Sequence, residues 1–148
     1  MGNIGVFMYF SFLFQINYIA VLVSSCIFFA LGSAWFSALF RSMWIQELQQ
    51  HTIVIKEPTT SNLVIKMLLT FGANFIASFA MACLVIIAHS TTVISGLSLG
   101  IIIAFGFAAT SIGSVFIWED KSLKLFLIDA GYPIFGIIIA AVLLSVWR

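Results

Sequence analysis

Asp129 is the residue in this chain whose position costs the most. It interrupts an apolar run from about Ser122 to Trp147, and an ionisable group at membrane depth costs about 2.5–3.5 kcal/mol on insertion scales. Such a group is expected to face protein and to have a partner. Counted from the start of that run, Asp129 lies about 7 residues in, or ~10 Å at 1.5 Å per residue. Helical spacing puts Asp129, Tyr132, Pro133, Gly136 and Ala140 on one polar-and-small stripe against an aliphatic remainder. Pro133 has no N–H, so the Asp129 carbonyl loses its intrahelical donor and a kink is expected there. A carboxylate beside a freed carbonyl is a pair of acceptors suited to a proton or a cation.

Partners for such a site can be read from the other apolar runs. Lys66, Thr70, Ala73, Asn74 and Ala77 share one helical face. So do Gly106, Ala109, Thr110, Gly113 and Ser114, and so do Cys26, Ala30, Ser33 and Ser37. The expectation is a hydrated polar cluster in which Asp129 and Tyr132 meet Asn74, Thr110 and Lys66. A structural alternative stands beside it. Small residues repeating every fourth position are how membrane helices approach closely, and Gly32, Ser33, Gly106, Gly113 and Gly136 fit that role, as do Gly96 and Gly100. In that alternative Lys66 extends toward the interface and Asp129 is protonated and simply hydrogen-bonded.

The remaining reactive residues suggest no chemistry. Cys26 and Cys83 fall in different apolar runs with no ligand spacing. His51 and His89 fall on opposite sides of the membrane in the topology below, which excludes a joint metal site. No nucleophile elbow, zinc-protease or phosphate-loop motif is present. The expectation is a chain that is not an enzyme and carries no cofactor and no metal.

Composition dictates the setting. Of 148 residues, 63% are hydrophobic and 7% charged, with a net charge of +1. A soluble domain carries about 25% charged residues, so soluble classes are excluded, and so is disorder. Nucleic-acid binding lacks a basic stripe. The lipid bilayer is the expected surround. A spanning helix needs about 20 apolar residues, and such runs fall at about 17–40, 62–88, 92–118 and 122–147. They are apolar throughout, unlike the alternating strands of a barrel. The fold class is therefore all-α: a polytopic antiparallel bundle of transmembrane helices, forming one domain over 17–148.

The connections orient the bundle. His89 to Thr91 and Glu119 to Lys121 are tight turns, whereas 41–61 is polar and long enough for a short amphipathic helix near Trp44 to Gln50. Arg41, Lys56, Lys66, Lys121 and Lys124 gather on one side, with Arg148 on the other. The positive-inside rule makes 41–61 and 119–121 cytoplasmic and both termini extracytoplasmic, in a cytoplasmic (inner) membrane. Trp44 and Trp118 then anchor one interface, with Tyr18 and Trp147 at the other. Residues 1–16 form an apolar extension without the basic region or cleavage site of a signal peptide. Three readings of it stand: an interfacial or helix-extending segment, a start assigned too far upstream, or a re-entrant piece.

Two segments carry a family resemblance. Gly32-Ser33-Ala34-Trp35-Phe36-Ser37-Ala38-Leu39-Phe40 through Trp44 resembles a G-x-x-W-Y-S-P-x-x-F-G-x-x-W pattern, and Ile128-Asp129-Ala130-Gly131-Tyr132 resembles I-N-A-G-Y. Both patterns belong to the uncharacterised bacterial membrane family labelled domain of unknown function 1761. Gly106-Phe107-Ala108, Phe116 and Glu119 resemble its third helix. The resemblance covers about Ile16 to Arg148 and departs at Phe36 for Tyr, Ala38 for Pro, Arg41 for Gly and Asp129 for Asn. It implies a four-helix fold and implies no activity. Two functions follow as expectations from the residues: a transport-like role for a proton, cation or small solute through Asp129, or a structural and interaction role through small-residue faces. A homo-oligomer is expected in either.

Overall fold

The computed structural model describes residues 11–51 and 60–147. The expectations for residues 1–10, for Lys56 and for Arg148 lie outside the described residues. After a short 3-10 turn, Ser11–Gln15, the chain forms α1 (Tyr18–Ala34), which continues as a wider π turn over Trp35–Leu39. Then come α2 (Arg41–Gln50), α3 (Thr60–Ile87), α4 (Val93–Ile103), a second π turn (Ala104–Ala109), α5 (Thr110–Trp118) and α6 (Leu123–Val146). The helices long and apolar enough to cross a membrane are Tyr18–Leu39, Thr60–Ile87, Val93–Trp118 and Leu123–Val146. Among the described residues the chain is thus an all-α bundle with four helices long and apolar enough to span a membrane.

Local chemistry sets the ends of these helices. Asn17 caps α1, its side chain accepting the N–H groups of Ile19 and Ala20 at 3.1 Å each. Thr92 and Ser95 form a capping box at the start of α4, and Ser122 caps α6 through the Leu125 N–H at 3.1 Å. The tight turns after α3 and α5 each pass through a left-handed residue, His89 at φ 51° and Asp120 at φ 49°. The amphipathic helix expected near Trp44 to Gln50 is α2, and it begins at Arg41.

α6 is the hub. It packs against α1, against α3 and along the whole third span, whereas α4 and α5 pack chiefly on α6. Close approach of α4 and α6 depends on two glycines. A Cβ on Gly96 would lie 2.9 Å from the Ala141 carbonyl oxygen, and one on Gly100 would lie 2.9 Å from the Ile138 Cα. Those are backbone atoms, which cannot step aside. At the end of the bundle holding Ile16, a core of Ala20, Val21, Met81, Ala82, Val85, Ala141 and Leu144 is sealed. Buried serines tie the spans together there: Ser24 to Ser78 at 3.2 Å and Ser90 to Ser145 at 2.8 Å. Asn17 and Trp147 line one small cleft, so both described ends of the chain lie at one end of the bundle. α2 and the turn before α6 lie at the other.

Several expected inward faces are corrected. Cys26, Ala30, Ser33 and Ser37 are exposed, and α1 instead buries Val21, Ser24, Ser25 and Phe28. On α3, Lys66, Thr70, Ala73 and Ala77 are exposed while Asn74, Ser78, Met81 and Val85 are buried. On the third span Gly106 and Thr110 are exposed, and a Cβ on Gly106 would meet nothing within 4 Å, so Gly106 packs nothing here. Gly113 has only ordinary contact, 3.5 Å, with Phe126, whereas Gly136 lies tight against Phe28 and Gly32 against Tyr132. The physical reason is that lipid tails are as apolar as leucine, so side-chain polarity does not drive small residues inward. α6 runs through Pro133 without interruption.

The glycine geometry makes a prediction for reversible unfolding in mixed micelles. Gly100→Ala should lose about 1–3 kcal/mol, as overpacking does. Gly72→Ala, where nothing lies within 4 Å, should be neutral or gain up to about 1 kcal/mol from helix propensity.

Candidate functional site

The two short segments singled out above, 32–44 and 128–132, lie against each other. Trp35, in the π turn that ends the first span, donates its indole Nε1–H to the Ile128 carbonyl at 2.9 Å. Its ring packs over Gly131, where a Cβ would lie 2.7 Å from Trp35 Cζ2, and beside Phe40 and Phe135. Nine residues later, on α2, Trp44 donates its Nε1–H to Asp129 Oδ1, also at 2.9 Å. One turn deeper on α6, Tyr132 donates its hydroxyl to Asn74 Oδ1 at 2.8 Å. The Tyr132 ring is enclosed edge-on by Phe28 and Phe36, with centroids at 5.3 and 5.8 Å. α6 is thus gripped by two tryptophans from one side and by α3 through its tyrosine.

The expected cluster therefore forms only in part. Tyr132 and Asn74 meet, and Asp129 is half-buried in a different bond. Thr110 is exposed and returns its hydroxyl to its own helix, at Gly106 and Phe107 carbonyls 2.8 and 3.0 Å away. Lys66 is exposed and makes no ion pair among the described residues. Trp44, expected as an interfacial anchor, turns its polar edge to the Asp129 carboxylate, because α2 docks that face against α6. Trp118 is exposed at the end of α5, and Trp147 follows α6. One polar atom lacks a partner: Asn74 Nδ2 is buried and has no acceptor among the described residues.

A second polar group, missed in the sequence, fastens α2. Glu47 is buried on α2 and accepts the Ser122 hydroxyl at 2.5 Å, with Lys124 Nζ at 3.5 Å from its other oxygen. His51 Nε2 accepts the Ser122 N–H at 3.1 Å. Trp44, Glu47, Leu48 and His51 recur at i, i+3, i+4 and i+7, a signal visible in the sequence once α2 is known to dock. The Ser122 hydroxyl, and then Lys124, hold the Glu47 carboxyl below its ordinary value against the opposing effect of desolvation. Among the described residues, no three His, Cys, Asp or Glu side chains converge on a possible metal position.

A family model described as Protein of unknown function (DUF1761) matches residues 19–145. No curated protein and no solved structure matches the chain.

The Glu47 bond gives a pH prediction. A carboxylate whose pKa is lowered by folding contributes stability above its unfolded pKa, and that contribution disappears as pH falls through the folded value. Hydrogen exchange of residues 41–50, corrected for intrinsic rates, should be slow at neutral pH. It should accelerate once the pH drops below the usual glutamate range of about 4.3. Glu47→Ala should show the fast exchange at every pH.

Proposed function

For this chain, which belongs to the DUF1761 family, we propose a structural and interaction role in the membrane, carried by association with a second copy through the third span. The observation that supports this reading is the side of that span that the described residues leave uncovered. A Cβ on Gly106 would meet no described residue within 4 Å, Thr110 satisfies its own hydroxyl within the helix, and a Cβ on Gly113 would make only ordinary contact with the Phe126 ring. These positions recur at i, i+4 and i+7, the spacing with which a second helix can approach closely. The family resemblance carries Asn where Asp129 stands, and Asn offers the same acceptor to Trp44. In this reading Asp129 is therefore a structural acceptor. Charge bias further assigns α2 and the 119–121 turn to the cytoplasm, in the inner membrane, with both ends outside.

The transport-like reading is the second, and one observation favours it. The Asn74 Nδ2 donor is left unpartnered at depth beside Tyr132, and a passing anion, water or solute carbonyl would satisfy it. Asp129→Asn in proteoliposomes separates the two readings: a transport site gives a pH-dependent flux that the substitution removes, whereas a structural acceptor gives no such flux in either protein.

Association is tested directly by mass measurement of the full chain in nanodiscs. Gly106→Leu with Thr110→Leu should convert an oligomer to a monomer while leaving the thermal midpoint of the monomer unchanged. A wild-type chain that is monomeric at every protein-to-lipid ratio, or an oligomer indifferent to those substitutions, overturns the proposal.

A further inference from the structure

A groove of about 290 Å³ lies between α1 and α3 at the end of the bundle nearer α2. Phe29, Phe36, Met67 and Tyr132 wall it, and Thr70 and Lys66 complete it on α3. Of its α3 residues, Lys66 is nearest the start of that helix, about 6 residues or ~9 Å along from Thr60. At this depth an ammonium needs a counter-charge, and Lys66 forms no ion pair among the described residues. Of the described carboxylates, Glu47 is taken by Ser122 and Lys124, Glu119 by Lys121 and Asp129 by the Trp44 indole, and Asp120 sits in the turn before α6. Among the described residues no carboxylate lines the groove. Thr70 returns its hydroxyl to the Lys66 carbonyl at 2.8 Å, leaving the walls apolar beneath a single cation.

We propose that this groove seats an anionic phospholipid, with its phosphate on Lys66 and the upper part of an acyl chain along Phe29, Phe36 and Met67. The occupant follows from charge and shape together. A cation above an aromatic-walled slot between spans complements a molecule that is negative at one end and a hydrocarbon at the other. The flexible lysine stem lets the ammonium rise to the phosphate layer while its methylenes stay on the groove wall. The site lies on α1 and α3, away from the uncovered side of the third span, so it stands or falls independently of self-association.

The test uses the purified full chain in phosphatidylcholine nanodiscs with rising fractions of phosphatidylglycerol, read by thermal midpoint and by mass spectrometry of retained lipid. Phosphatidylglycerol should raise the midpoint and be the lipid retained. Lys66→Gln should weaken that response roughly fivefold, the scale of one cation near an anionic surface, and Lys66→Arg should preserve it. Thr70→Phe, which fills the slot from an exposed position, should abolish retention while leaving the midpoint in pure phosphatidylcholine unchanged. Lys121→Gln should respond as the wild type does. The proposal is overturned if Lys66→Gln responds like the wild type, if Lys121→Gln loses the response equally, or if inorganic phosphate alone reproduces the shift.

Discussion

An indole N–H removed from water must find an acceptor, and in hydrocarbon an unsatisfied one costs several kcal/mol. Trp35 and Trp44 both meet that demand on α6, one at the Ile128 carbonyl and one at the adjacent Asp129 carboxylate. Much of the arrangement at that end of the bundle follows from these two bonds. Trp35 can reach its carbonyl only because Gly131 leaves room for the ring. Trp44 can reach its carboxylate only because α2 folds back onto α6 after the π turn. That return is held a second time by Glu47 and His51 at the Ser122 cap.

α6 is suited to be the element so gripped. Its small residues Gly136, Ala140 and Ala141 admit Phe28 and the glycines of α4, giving the close packing that dispersion forces reward between membrane helices. Pro133 removes one backbone donor from the same helix. The bonds to Trp35, Trp44 and Asn74 fall within the two turns around it. Hydrogen bonds at one end of α6 and serine ties at the other leave the sides of the third span, and the slot between α1 and α3, as surfaces that the described residues do not cover.

The spans, their order and the tight turns were legible in the sequence because length, apolarity and capping residues are local properties. So was the need of Asp129 for a partner, since a carboxylate in an apolar run demands one, and the pairing of Tyr132 with Asn74 followed from shared depth. Which side of each helix faces inward was not legible for α1, α3 or the third span. Thr110 and Gly106 look like an inward stripe, yet they are exposed, because in lipid neither orientation of a small residue carries a solvation penalty. The partner of Trp44 was not legible for a related reason. A tryptophan near a membrane interface serves as an anchor by default, and only the spacing of Trp44, Glu47, Leu48 and His51 hints that this face of α2 is docked.

The account rests on Trp44 and Asp129 acting on one another. A double-mutant cycle of Trp44→Phe and Asp129→Leu, read by reversible unfolding in micelles, measures that interaction directly. The bond predicts that each single substitution destabilises and that the pair together costs less than the sum, by about 0.5–1.5 kcal/mol. Additive costs would contradict it, and would mean that the indole and the carboxylate lie near one another without holding α2 to the bundle.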